Sequence, residues 1–232
     1  MKRVLLKLSG EALSASSGDI YDTAFVDRVA ATLKTSADRG FELAVVVGAG
    51  NIWRGRSGGE MDRTTADHMG MLATVINALC LKDAILRAGG DAVVLSAVAM
   101  PPFAVGYTPA LAKQYLSEGK IVVLGAGLGI PFLSTDTAGA VRAAEIGADA
   151  MLMAKNVDYI YTDDPKKNPD AKRIEEISST ELLARGLRAI DSTAAAFTGS
   201  VGMPIRIFGM TEPEDIALAL EGKKSGTLVT PK

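Results

Sequence analysis

The sequence is poor in the residues that carry most metal and redox chemistry. Its 232 residues include one cysteine, Cys80, and one histidine, His68. A lone cysteine excludes an internal disulfide and any multi-cysteine metal site. A lone histidine excludes a histidine-cluster zinc site and leaves at most one imidazole as general base. Cys80 lies inside the apolar run MLATVINALCLKDAIL, which reads as the setting of a buried structural thiol. An excess of positive charge is also missing. The formal net charge is −2, so no basic field draws in nucleic acid, and none is expected as a partner. No stretch reaches the roughly 18 consecutive apolar residues of a membrane span, and no membrane partner is expected. The opening MKRVLLKLSG has too short an apolar core for a secretory signal. A soluble cytoplasmic protein is the expectation. Internal repeats and low-complexity segments are absent, as are the P-loop and the protein-kinase signatures.

What is present is a regular alternation. RVLLKLS (3–9), ELAVVVG (42–48), DAVVLS (91–96), KIVVLG (120–125) and DAMLMA (149–154) are short, nearly continuous apolar runs. Such runs suit strands buried on both faces. Helical spacing appears at 25–39, around 109–118 and at 137–147, and a long helix is expected over 64–89. That helix is apolar on most sides in its middle and should be deeply buried. Beyond about residue 155 the pattern loosens. A short strand at 157–164 leads into the basic loop PKKNPDAKR, read as a solvated loop. Helices follow near 179–185, 192–201 and 213–221, with strands at 204–208 and 226–230. Strand–helix alternation implies one mainly parallel sheet with helices on both faces. The chain reads as a single domain, 1–232, with a seam between lobes 1–154 and 155–232.

In such sheets ligands bind beyond the carboxyl ends of the strands. Three of those ends carry glycine and polar residues: KLSGEAL, VVVGAGNIWRG and GAGLGIPFLSTDT. Glycine lets backbone N–H groups approach a ligand closely, and a following helix N-terminus adds partial positive charge. One such loop is most often a plain turn. Three in one sheet suggest a phosphate-rich ligand spanning several strand ends. Several residues here admit a plain structural role. Lys7 could snorkel to solvent from its strand end. Asp136 could compensate a helix dipole, with Ser134 or Thr135 as cap. Asp67, three residues after Thr64, fits a capping box. Trp53 has no evident partner.

Taken together, LLKLSGEAL, GAGNIWRG, DHMGMLATVINAL, GIPFLSTDTAGAVRAAEIGAD, LMAKNVDYIYTDDPKKNP, IDSTA and GTLV resemble, in order and from about residue 2 to 230, the uridylate-kinase branch of the amino acid kinase family. The resemblance implies a three-layer αβα sandwich of the carbamate kinase-like type. It implies transfer of a phosphoryl group from ATP to UMP, with Mg²⁺ bound through the ATP phosphates. It also implies a homohexamer, UTP as inhibitor and GTP as activator in many members. UMP would lie over the N-terminal lobe and ATP over the C-terminal lobe.

Carried over by position, Lys7, Leu8, Ser9 and Gly10 form the ATP phosphate loop. Gly50 and Arg54 meet the phosphates in transfer, and Ala49 meets the UMP phosphate. Asp67 accepts from the UMP ribose. Leu128, Gly129, Ile130, Pro131, Phe132, Leu133, Ser134 and Thr135 wrap UMP. Asp136 holds Lys7, so the catalytic set is Lys7, Arg54 and Asp136. Asn156, Tyr161 and Asp164 line the adenine-nucleotide site. The chain departs from the family pattern where Ala49 and Tyr159 replace glycines and where residues 11–21, near the effector region, match poorly. If position 49 requires positive φ, its alanine is strained by roughly 1 kcal/mol. Two alternatives stand beside this reading: a kinase of the same fold acting on a carboxylate or carbamate, and a nucleotide sensor without turnover.

Overall fold

The computed structural model describes residues 2–14, 18–53, 60–165, 167–187, 189–223 and 226–232. The first strands, in chain order, are β1 (Arg3–Leu8), β2 (Glu42–Val47), β3 (Ala92–Ser96), β4 (Val105–Gly106), β5 (Ile121–Gly125) and β6 (Ala150–Lys155), all expected except β4. The helices between them are α1 (Thr23–Asp38), α2 (Arg63–Arg87), α3 (Pro109–Ser117) and α4 (Thr135–Ile146). The rest of the chain adds β7 (Ile160–Tyr161), β8 (Arg173–Ile174), β9 (Glu176–Ser178), α5 (Ser179–Ala184), α6 (Ser192–Val201), β10 (Ile205–Gly209), α7 (Glu214–Leu220) and β11 (Thr227–Thr230). Among the described residues nine strands form one sheet in the order β4-β3-β5-β2-β1-β6-β10-β11-β9, and β7 and β8 form a separate pair. All neighbours in the large sheet run parallel except β10 and β11.

Period-two alternation sends side chains to two cores. Val4, Leu6 and Leu8 pack with Leu43, Val45 and Val47 under α1, α2 and α7. Leu5, Ala44 and Val46 pack with Met151 and Met153 under α3, α4, α5 and α6. The result is the expected three-layer α/β architecture. Lys7 is two residues on from Leu5, and Lys155 two on from Met153, so both belong to the α4 face.

The structure corrects some local expectations. The helix α2 is not buried all round. Met69, Leu72, Ile76 and Leu86 are exposed, at spacings that keep them on one face. The opposite face, with Ala73, Asn77, Leu81 and Ala84, is buried. One stretch of α2 reaches a mean hydropathy of 1.6, long and apolar enough by composition to cross a membrane, yet 44% of it packs inside the protein. Cys80 is partly buried beside the core. The strand expected over 157–164 is only the two residues of β7. The short strands β4, β8 and β9 carry too few residues to produce a hydrophobic period.

Candidate active site

The first two glycine turns are built against each other. Beyond β1, Ser9 leads into a short 3-10 turn, Gly10–Leu13. A side chain at Gly10 would lie 2.4 Å from the Gly48 carbonyl oxygen and 2.6 Å from Asn51 Oδ1. Only glycine allows that approach. Asn77, wholly buried in α2, holds the second turn. Its Nδ2 donates to the Gly48 carbonyl at 2.7 Å and to Asn51 Oδ1 at 2.8 Å, while the Tyr21 hydroxyl donates to its Oδ1 at 2.8 Å. Ala49 is not strained. Among the described residues the positive-φ ones other than glycine are Ala126 and Phe132, so the condition for strain at position 49 is not met.

The third loop, 126–134, carries that strain instead. Ala126 has φ 59° and Phe132 φ 69°, conformations that cost about 1 kcal/mol or more each. Three anchors hold the loop. The Ala126 amide donates to Thr74 Oγ1 at 2.8 Å. The Phe132 amide donates to Asp67 Oδ2 at 2.8 Å. Arg142, buried under the Tyr107 ring, donates to the Gly127 carbonyl at 3.2 Å and to Glu145 at 2.7 Å. Asp67 is therefore not a capping-box residue: Asp62 caps α2 by accepting from the Thr65 amide. Asp67 also accepts from Arg63 Nε at 2.9 Å, four residues earlier.

The loop and α2 enclose a cavity of about 190 Å³. Ala49, Gly50, Asp67, Leu128, Ile130, Leu133, Ser134 and Thr135 line it, with Trp53, Met71 and Thr74. Gly129, Pro131 and Phe132 belong to the loop but not to that lining, and Phe132 is 64% exposed beneath the Arg63 guanidinium. Trp53, without an assignment in the sequence, donates its indole N–H to the Ala66 carbonyl at 2.8 Å and forms one wall.

A second cavity, of about 770 Å³, shares Ser134 and Thr135 with the first and is lined by Lys7, Asp136, Lys155 and Asp191. Lys7 Nζ lies 2.7 Å from Asp136 Oδ1, and Lys155 Nζ 3.1 Å from Asp136 Oδ2. Burial works to raise the Asp136 carboxyl, but the charges and hydrogen bonds of Lys7 and Lys155 outweigh it and hold the group below the ordinary carboxylate range. Burial, then the charge of Lys7, push Lys155 below the ordinary lysine value against the pull of Asp136. Asp136 also occupies the first turn of α4, whose cap is Ser134, accepting from the amides of Asp136 and Thr137 at 3.1 Å. Both expectations for Asp136, at the dipole and beside Lys7, thus hold at once. Asp191 caps α6 through the Ala194 amide and accepts from the hydroxyls of Ser134 and Thr137. It ties α6 to the start of α4.

A third cavity, of about 520 Å³, holds Tyr161 and Asp164 and shares Gly186, Leu187 and Ala189 with the second. Asn156 does not join Tyr161 and Asp164. It lines a separate cavity of about 210 Å³ with Lys7, Ser9 and Lys155. Leu8 is wholly buried in the other core, so only its backbone can face a ligand. Arg54 lies outside the described residues. Sequence reasoning missed Asn77, Lys155 and Asp191. Each left a trace: a polar residue inside an apolar helix, a lysine closing a buried strand, and an acid before a helix.

Glycine turns at strand ends, two lysines around one carboxylate, and cavities joined along the sheet rim place the molecule among phosphate-handling α/β proteins. Residues 2–209 match the Amino acid kinase family, and the chain belongs to that family. It is 46% identical over 233 residues to a uridylate kinase of Brucella anthropi, covering 99% of this chain and 96% of that protein. Its fold superposes on a UMP kinase from Ureaplasma parvum with a TM-score of 0.93 at 33% identity, covering 99% and 98% of the two chains. A UMP kinase from Bacillus anthracis gives a TM-score of 0.95 at 32% identity, covering 100% and 96%.

Proposed function

We propose that the protein is a UMP kinase, transferring the γ-phosphoryl group of ATP to UMP to give UDP and ADP. One observation carries the reading: the three linked cavities run from Asp67 to Tyr161 and Asp164, with Lys7, Asp136 and Lys155 in the middle one. Two nucleotides laid end to end would put their terminal phosphates at the lysines. UMP would occupy the 190 Å³ cavity over residues 1–154, and the adenine nucleotide the cavities over 155–232.

Phosphoryl transfer requires in-line placement and neutralised charge more than covalent help from the protein. A UMP phosphate oxygen is already an anionic nucleophile at neutral pH. It forms a bond to the γ-phosphorus as the bond to the β–γ bridging oxygen breaks, and ADP departs with that electron pair. Lys7 and Arg54 offset charge on the transferring oxygens, and Asp136 fixes the direction of Lys7. Ser9, Gly10, Ala49 and Gly50 supply backbone at the phosphates, and Asp67 meets the ribose. Among the described residues no group of three or more His, Cys, Asp or Glu side chains is placed to hold a metal ion. Mg²⁺ carried on the nucleotide oxygens would neutralise phosphate charge.

The test is ADP release with ATP and each of UMP, CMP, acetylglutamate, aspartate and carbamate. Release with UMP is expected. Release only with a carboxylate or carbamate acceptor would reassign the substrate. UTP binding without release in any case would make the protein a sensor. The exposed stripe Met69, Leu72, Ile76 and Leu86 on α2 supports self-association, and we take the assembly to be a homohexamer. Cytoplasmic location, inhibition by UTP and activation by GTP belong to the same proposal. Sedimentation with and without UTP or GTP tests the assembly.

A further inference from the structure

We propose that Lys155 is a second catalytic cation, meeting the phosphoryl group in transit from the β6 side as Lys7 meets it from β1. The inference rests on the kinase reading above.

Placement comes first. β1 and β6 are parallel neighbours with Lys7 opposite Met153, so Lys155 ends its strand one side-chain repeat beyond Lys7 on the same face. Each ammonium takes one oxygen of the same carboxylate, at 2.7 and 3.1 Å. An ammonium has three donors, so each keeps donors beyond those given to Asp136. Both residues line both of the cavities that flank them, one toward Asp191 and one toward Ser9 and Asn156.

Charge comes second. The groups facing Lys155 are Lys7 from β1, Asp136 from α4 and, more weakly, Asp191 before α6. Asp191 spends its carboxylate on Ser134, Thr137 and the Ala194 amide. A buried carboxylate needs only one lysine. A second ammonium beside the first is repelled by it and loses hydration, a cost no structural role here repays. A ligand rich in anionic oxygen removes that cost, and the chemical class that does so is a nucleoside di- or triphosphate. The charge pair is therefore poised for a state with more negative charge than the free protein holds.

Three forms of the full chain are compared: wild type, Lys155→Met and Lys155→Arg, assayed with ATP, Mg²⁺ and UMP and melted in parallel. Lys155→Met should lower kcat about 10²-fold or more, as loss of one transition-state charge does, while KM for UMP stays within about threefold. Lys155→Arg should regain at least about a tenth of wild-type kcat. Its alkaline limb should move to higher pH, because guanidinium keeps its proton where a desolvated ammonium does not. A Lys155→Met enzyme within about threefold of wild-type kcat overturns the proposal. So does a variant whose loss is confined to KM. Should Lys155→Met fail to fold, the arginine variant decides alone: an unmoved alkaline limb overturns the proposal and a shifted one supports it. Wild type that releases no ADP with UMP is a different failure, since it removes the kinase reading itself.

Discussion

The two ends of the trough are made of different material. The end read as the UMP site is walled by the long helix α2, the start of α4 and the turns that follow β2 and β5, and its loop is pinned at Thr74, Asp67 and Arg142. The end read as the adenine site is walled by the two-residue strand β7 and by turns. Its polar contacts, such as Arg173 with Asp158 at 2.8 Å, lie at the surface, with the two side chains 60% and 46% exposed. Exposed pairs contribute little, whereas buried polar networks fix one arrangement and are costly to break. The chemistry at the middle should therefore depend on the buried side far more than on the exposed one. Substitutions matched across the trough test that asymmetry.

The largest effect is expected at Lys7. Lys7→Ala should cut kcat by about 10²- to 10³-fold or more, measured in the ADP-release assay. The fold should survive, because Asp136 keeps Lys155 as its partner. Arg173→Ala, the matched change at the adenine end, should leave kcat within about threefold, consistent with the small worth of an exposed pair. Equal losses in the two variants would erase the difference between the ends.

Next comes Asp136. Asp136→Ala leaves Lys7 and Lys155 face to face, and removing one partner of a buried ion pair costs about 3–5 kcal/mol. Chemical denaturation at neutral pH measures it. The pH dependence has a definite sign. The folded carboxyl lies below its unfolded value of about 3.9, so its stabilisation is fully present above that pH. It is lost as pH falls through the folded value. Wild type should lose stability on acidification more steeply than Asp136→Asn, and parallel curves would place the compensating charge elsewhere.

Much of this was legible in the sequence, and unevenly. Continuous apolar runs announced β1, β2, β3, β5 and β6 because strands buried on both faces need them. Lys7 and Asp136 stood out as charges at the ends of such elements. Between residues 155 and 178 no comparable period exists, since β7, β8 and β9 are two or three residues each and are fixed by tertiary contacts such as Thr227 Oγ1 with the Ile160 amide. Lys155 was hidden by that boundary. It reads as the start of an irregular segment until β6 is seen beside β1. The exposed stripe on α2 escaped notice because composition cannot say which apolar face of a helix the core leaves uncovered.

A smaller effect belongs to Asp67. Asparagine can still accept from the Phe132 amide, so the loop should stay in place. What is lost is the charge facing Arg63 and, on the UMP-kinase reading, a ribose hydroxyl. Asp67→Asn should raise KM for UMP about tenfold with kcat little changed, in line with one charged hydrogen bond. An unchanged KM would leave Asp67 as a loop anchor only.

The smallest effect decides a matter of sign. An alanine forced to positive φ would be relieved by glycine, so Ala49→Gly would stabilise the protein. The structure puts Ala49 outside that region, and the left-handed strain sits at Ala126 and Phe132 instead. Glycine at 49 then only widens the unfolded ensemble, and it should destabilise by about 0.5–1 kcal/mol. Ala126→Gly, at φ 59°, should do the opposite and stabilise by a similar amount. Denaturation midpoints of the two variants, compared with wild type, read both signs directly. If both stabilise, the turn after β2 shares the strain; if both destabilise, Ala126 carries none that glycine relieves.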